Sequence, residues 1–190
     1  YADLTRLDKP GLEAAAARLA AARGLVFDLR GDAVVGTEVL SHLLDKEAPS
    51  GIWEVPVTWL PDQQEVHRLR TVWTIGPRAP RFRARVAFLV DERAVGYTET
   101  LVTIAEHQRL GRLVGSPSAG GNGTINRTDL PGGFRLTFTG QSVLKPDGTP
   151  LQGNGVQPEE AIRPTREGVA AGRDEVLEAA VRFVRGADGS

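Results

Sequence analysis

Two loops of this sequence have residue types and placement that suit chemistry. The first is Asp28-Leu-Arg-Gly-Asp-Ala-Val-Val-Gly36, where a Gly-bearing loop leaves a short apolar run and leads into a helical pattern. Such a loop offers backbone N–H groups to an anion or to a developing oxyanion. Read alone, it is equally a helix start with a permissive Gly. The second is Asp91-Glu-Arg-Ala-Val-Gly-Tyr-Thr-Glu99, a sharp passage from strand to helix. Elbows of that kind hold nucleophiles, because the helix N-terminus favours negative charge. The residue at this elbow is Gly96, which has no side chain. On the bare residues, Gly96 relaxes a tight turn and Glu99 complements the helix dipole.

Other polar residues give weaker signals. His42, His67 and His107 are widely separated and form no metal-ligand spacing, so they read as ordinary surface or partly buried residues. Ser116 and Ser118 have no evident base beside them in the sequence. Gly120-Gly-Asn-Gly123 is Gly-rich but lacks the Lys-Ser/Thr of a phosphate-binding loop, so a plain turn is expected. With no Cys, the chain has no disulfide, thiolate nucleophile or Cys-ligated zinc.

The elements that would position these loops follow from hydrophobic periodicity. Pro10 to Arg23 has a Pro at its start and apolar residues at Leu12, Ala15, Ala16, Leu19 and Ala22, which predicts an amphipathic helix stopped by Gly24. Gly24 to Arg30 and Val86 to Asp91 are short apolar runs of the kind buried on both faces of a parallel sheet. Helices are expected over Thr37–Leu44, Tyr97–Arg109 and Asp174–Val184, the middle one with Leu101, Ile104 and Ala105 on one face. Two longer strands, Ile52–Leu60 with Trp59 and Val66–Ile75, are joined near Pro61-Asp62, and shorter strands lie at Leu113–Gly115 and Phe134–Thr139, with a turn at Lys145-Pro-Asp-Gly. The stretch Gly76 to Arg85, with Arg78, Arg81, Arg83 and Arg85 following Arg70, reads as a solvated surface connection. Strands and helices interleave, so the fold class is α/β with a mostly parallel sheet and extra β-hairpins.

The 190 residues carry 23 Lys+Arg against 24 Asp+Glu, a formal net charge of -1. That balance argues against a nucleic-acid binder, which would carry a basic excess. No apolar run approaches the roughly 18 residues of a membrane span. One domain over residues 1–186 with a tail at 187–190 is the expectation from length and pattern. The chain has no Met and opens at Tyr1-Ala-Asp-Leu, so it is expected to be part of something longer.

Taken in order, Phe27-Asp-Leu-Arg-Gly, Val86-Ala-Phe-Leu-Val-Asp with the elbow ending in Glu99, the run 111–123, Lys145-Pro-Asp-Gly and Gly155-Val-Gln-Pro-Glu resemble the catalytic domain of the tail-specific, or C-terminal processing, serine peptidases. That group includes the tricorn protease core, and the resemblance covers nearly the whole chain, from about Tyr1 to Arg185. It implies a ClpP/crotonase-like α/β fold and acyl transfer on a polypeptide substrate, with no metal and no organic cofactor. The family's nucleophile position falls on Gly96 and the Lys position of the processing enzymes on Gly121; both are Gly. A tricorn-like member would lack that Lys and take a His from an upstream segment. Thr98, or a Ser of the 116–118 loop, would be the nucleophile if the register were displaced.

By the same resemblance the Tyr97 amide is one oxyanion donor and an amide of Val35 or Gly36 the other, although Ala33-Val-Val stands where the processing enzymes have Pro-Gly-Gly. Gln152 lies where tricorn-like members place a supporting acid. Without a Ser at 96, hydrolysis by the family route is not expected, because backbone atoms cannot replace Oγ. A non-catalytic module binding peptides or hydrophobic ligands on the same scaffold is the alternative, while nothing resembles the CoA-binding loops of an acyl-CoA enzyme. The expected partners are an upstream cap and a PDZ-like domain of the same protein, the expected location is extracytoplasmic, and an apolar patch should be exposed where an upstream segment packs. The sequence does not give the oligomeric state.

Overall fold

The structure, a computed structural model, describes residues 1–58 and 65–186. The expected end of the first long strand at 59–60, Trp59, the Pro61-Asp62 connection and the 187–190 tail lie outside the described residues.

The central layer is a five-stranded, all-parallel sheet in the order β1 (Ala2–Asp3), β2 (Gly24–Asp28), β7 (Arg85–Val90), β8 (Arg112–Gly115), β12 (Glu160–Ala161). The alternation of side chains along β2 and β7 divides the core in two. Leu25, Phe27, Val86, Phe88 and Val90 face one side, where they meet α1 (Lys9–Ala20), α2 (Thr37–Leu43) and α3 (Tyr97–His107). Val26, Ala87 and Leu89 face the other, against Val176, Ala179 and Ala180 of α5 (Glu175–Val184). Strands clothed on both faces explain the uninterrupted apolar runs of the sequence.

The helices begin where the sequence says. Asp8 caps α1 by accepting from Gly11 N, and Pro10 lies in its first turn. Asp174 caps α5 by accepting from Leu177 N, and Thr165 caps the short α4 (Arg166–Ala170). The helices end slightly earlier than expected, α1 at Ala20 and α3 at His107.

Three antiparallel units hang from this sheet. One is β11 (Ser142–Leu144), β4 (Ile52–Thr58) and β5 (Val66–Thr71); another is β3 (Ala48–Pro49) with β6 (Thr74–Ile75); the third is the hairpin of β9 (Ile125–Leu130) and β10 (Phe134–Thr139). The single strand expected over Val66–Ile75 is therefore two. It breaks at Val72-Trp73, where Ser50 N donates to the Trp73 carbonyl and Trp73 N to Ser50 Oγ, so that each piece joins a different sheet. The Arg-rich stretch is a surface connection, with residues 76–80, Arg83 and Arg85 exposed, and several of its guanidinium groups find partners there. Arg78 pairs with Glu13, Arg81 with Asp45 and Arg70 with Glu54, and the Arg85 guanidinium lies over the Phe183 ring, 4.7 Å from its centroid. Among the described residues no helix is long and apolar enough to cross a membrane.

Candidate active site

Three loops at the carboxyl ends of β2, β7 and β8 meet at the start of α3, the edge at which open α/β sheets bind ligands. The elbow between β7 and α3 turns on Gly96, with φ 61° and ψ −118°. That is a backbone conformation L side chains adopt only under strain, of the kind stored at strand-to-helix elbows. A Cβ built on Gly96 would meet nothing within 4 Å, so the space beside it is open.

Thr98 ties the β2 loop to this elbow. Its hydroxyl donates to the Gly31 carbonyl at 2.9 Å and accepts from Ala33 N at 2.9 Å, and the residue is buried. Both hydrogen-bonding capacities of that hydroxyl are spent on backbone. The Tyr97 hydroxyl reaches Thr37 across the same seam, 3.4 Å from its hydroxyl oxygen. The Tyr97 N–H lies in the first turn of α3, where the helix itself supplies no carbonyl. Val35 and Gly36 are buried at the start of α2, and the Gly36 N–H faces the Glu38 carboxylate at 3.4 Å. Burial opposes the charge on Glu38, but Lys9, 2.7 Å away, and backbone N–H groups hold its carboxyl below the ordinary range.

Glu99 does more than complement the helix dipole. Wholly buried, its carboxylate accepts from Ser118 Oγ at 2.6 Å, Gly120 N at 2.6 Å and Gly121 N at 2.8 Å. The Ser118 hydroxyl in turn accepts from Val156 N at 2.8 Å, and buried Asn122 donates to Thr100 Oγ1. The loop 118–123 is thus a strapped segment and not a plain turn. Both serines have a carboxylate partner after all, Ser116 with Glu92 at 2.9 Å and Ser118 with Glu99. Those partners lie 24 and 19 residues away in sequence, which hides them from a local reading.

Gly121 is brought next to the elbow: a Cβ on it would stand 3.3 Å from Val95 Cγ2. Gln152 is engaged elsewhere, accepting from Val143 N at 3.0 Å and donating to the carbonyls of Asn122 and Gln141. His42 is buried, contrary to a surface role. It donates through Nδ1 to the Pro80 carbonyl at 2.7 Å and stacks on Phe82. His67 and His107 are exposed and lie on separate elements. Among the described residues no group of three or more acidic or imidazole side chains has the geometry of a metal site.

A second charged cluster braces the sheet behind the elbow. Arg30 bonds Asp28 through Nε and Nη2, and Asp174 through Nη1 and Nη2, while the Tyr1 hydroxyl donates to Asp28 at 2.8 Å. Burial opposes ionisation of Asp28, but the Arg30 and Tyr1 hydrogen bonds outweigh it and hold the carboxyl below its usual range. The Tyr1 phenol is pushed up to about 12 by burial and by Asp28.

A parallel α/β sheet with a strained strand-to-helix elbow opening onto a buried helix is the geometry in which nucleophile elbows are built. The sequence profile of Peptidase family S41 matches residues 41–162, and the chain belongs to that family. Solved structures agree at the level of the fold. A candidate peptidase from Parabacteroides merdae superposes with a TM-score of 0.79 at 19% identity, covering 97% of this chain and 59% of that one. The photosystem II D1 C-terminal processing protease gives a TM-score of 0.60 at 17% identity over 96% of this chain and 45% of the other. The tricorn protease gives 0.62 at 17% identity over 97% of this chain and 17% of its own. The chain thus spans well under two thirds of each of these proteins. No curated protein matches it.

Proposed function

We propose that this chain is the catalytic-domain scaffold of a tail-specific serine peptidase whose nucleophile has been lost at Gly96, so that it holds polypeptide without cleaving it through an acyl-enzyme. The observation that carries the reading is the Gly96 backbone, at φ 61° and ψ −118°, with empty space where a side chain would project. A Ser there would stand at the N-terminus of α3 with the Tyr97 N–H beside it as an oxyanion donor. Of the two amides offered as second donor, that of Gly36 is compromised, because it already faces the Glu38 carboxylate. A fixed negative charge at that point opposes a developing oxyanion. Thr98 and Ser118 are poor substitutes as nucleophiles, being buried and committed on both sides of their hydroxyls.

Loss of the nucleophile costs about a million-fold in turnover where it has been measured in serine peptidases. Gly121 takes the Lys position of the processing enzymes, as in a tricorn-like member, whose His would come from outside this chain. Gln152 braces backbone and carries no charge to support an imidazolium. An upstream cap, a PDZ-like domain and an extracytoplasmic location belong to the same reading.

Covalent labelling by a fluorophosphonate tests it. The unmodified chain should not label. G96S combined with G121K should label at residue 96, a Cβ at 121 standing 3.3 Å from Val95 Cγ2, a contact that a small shift of that side chain relieves. Labelling of neither would overturn the reading of a site intact around an absent nucleophile and favour a ligand-binding module on the same scaffold. Labelling of the unmodified chain at Thr98 or Ser116 would place the nucleophile elsewhere.

A further inference from the structure

The hairpin of β9 and β10 is the least covered part of the fold. Every residue of both strands is exposed, and among the described residues each strand pairs only with the other. The register sets Phe134 opposite Leu130, Leu136 opposite Thr128 and Phe138 opposite Asn126, so these six side chains share one face. Four of them are apolar and exposed: Leu130 by 46%, Phe134 by 71%, Leu136 by 49% and Phe138 by 47%. The opposite face carries the Asp129–Arg135 ion pair, Arg127, two threonines and, at its end, exposed Ile125. An isolated two-stranded hairpin is marginal in water, and an apolar stripe along it invites a cover.

The root of the hairpin is the candidate site itself. Thr124 N donates to Gln141 Oε1 at 2.9 Å, and Gln152 grips the carbonyls of Asn122 and Gln141 on the two sides of the root. The strands therefore spring from the loop that Glu99 straps to the elbow helix.

We infer that the β9–β10 hairpin is a docking edge for an extended polypeptide with apolar residues at alternate positions. Two needs of the hairpin are met by that partner together. Its outer edges present unpaired backbone N–H and C=O groups, which a strand satisfies and a helix does not. Its apolar side chains recur every second residue along β10, the repeat of an extended chain. A strand added at the β10 edge sets its own alternate side chains beside Phe134, Leu136 and Phe138 on the same face, so the ligand shares the apolar row without capping it. The four side chains expose roughly 400 Å², about half of what one partner contributes to a stable protein dimer. The inference rests on polypeptide being the ligand of this domain, and adds where and in what conformation it is held.

The test uses the 190-residue chain and a soluble nine-residue peptide, Lys-Thr-Val-Thr-Leu-Thr-Phe-Thr-Lys, followed by fluorescence anisotropy. Binding should be saturable and at least ten-fold weaker for the F134S/F138S variant, and equally weakened when alternate peptide amides are N-methylated. Unchanged binding in F134S/F138S, or no binding to the unmodified chain, overturns the inference. So does a dimer in sedimentation that F134S/F138S converts to monomer, since a second copy would then be the cover. Should that variant misfold, amide exchange in the unmodified chain decides: peptide must slow exchange along 125–139, and unaltered exchange there refutes the docking edge. Fluorophosphonate labelling of G96S/G121K is independent of the hairpin, so its success with failed peptide binding would leave the peptidase reading standing.

Discussion

The Glu99 carboxylate and the Ser118 hydroxyl stand 2.6 Å apart with both side chains buried, and through this contact the elbow helix holds the loop that follows β8. The carboxylate has three donors and the hydroxyl is both donor and acceptor, so the network is complete as built. Glu99→Gln keeps the shape but turns an amide toward a backbone N–H, replacing attraction by opposition. A loss of about 2–4 kcal/mol is expected from denaturant unfolding, as for breaking a buried charged hydrogen-bond network. Ser118→Ala should cost less, about 1–2 kcal/mol, by orphaning Val156 N. Amide exchange at Gly120 and Gly121 should accelerate in both variants.

The Arg30 cluster predicts an acid limb to the stability curve. Asp28 and Asp174 are held below the ordinary carboxylate range, so their contribution is present at neutral pH. It is lost as pH falls through the unfolded-state value of about 4 toward the lower folded-state one. Arg30→Met removes the largest favourable contribution to both shifts and leaves Asp28 buried without its cation. Stability at pH 7 should drop by about 2–3 kcal/mol, most of it from Asp28, because Asp174 is partly exposed. The difference between Arg30→Met and the parent should shrink as pH is lowered through 4, which thermal melts across pH will reveal.

The parts of the fold that burial dictates were legible in the sequence. Val26, Phe27 and Val86 to Val90 lie in strands covered on both faces, and such runs need no knowledge of partners. The strands missed were those whose reason lies elsewhere in the chain. β9, Ile-Asn-Arg-Thr-Asp-Leu, reads as polar and is a strand only because β10 pairs with it; β12 is two residues held by β8. The elbow is legible as a sharp passage from strand to helix, but the work of Glu99 is not, since Ser118, Gly120 and Gly121 come to it only in three dimensions. A signal existed: Glu99 is the one charged residue between Tyr97 and Ala105, a stretch buried from Thr98 onward, and an acid inside a buried segment demands donors. The Gly36–Glu38–Lys9 contact likewise joins α1 to α2 and has no trace in local pattern.

Thr103 offers a gain. Its hydroxyl is buried on α3 without a hydrogen-bond partner, in a tight space lined also by Trp53, Thr100 and Leu151. Thr103→Val replaces the hydroxyl by a methyl of similar size and removes the cost of an unsatisfied buried group. The variant should be more stable by about 1 kcal/mol in denaturant unfolding, with the midpoint raised and the slope unchanged.

Gly36 and Gly96 precede α2 and α3 and resist substitution for opposite reasons, which a mutant cycle separates. Gly96 needs its positive φ, yet has no atom within 4 Å of a would-be Cβ. Gly36, at φ −153° and ψ −62°, has no positive φ, but a Cβ there would be driven into the Leu101 side chain. Gly96→Ala should therefore cost about 1–2 kcal/mol of pure backbone strain. Gly36→Ala should cost about 1–3 kcal/mol by overpacking a filled core. Trimming Leu101 to Ala removes the obstacle to the first change only. In unfolding measurements the Gly36→Ala and Leu101→Ala pair should be coupled by at least about 1 kcal/mol, the double variant being more stable than the sum of the two losses predicts. Gly96→Ala with Leu101→Ala should be additive. Equal coupling in both pairs would mean that Leu101 shapes the elbow as well as the start of α2, and the open space at residue 96 would then depend on α3 packing and not on the elbow backbone alone.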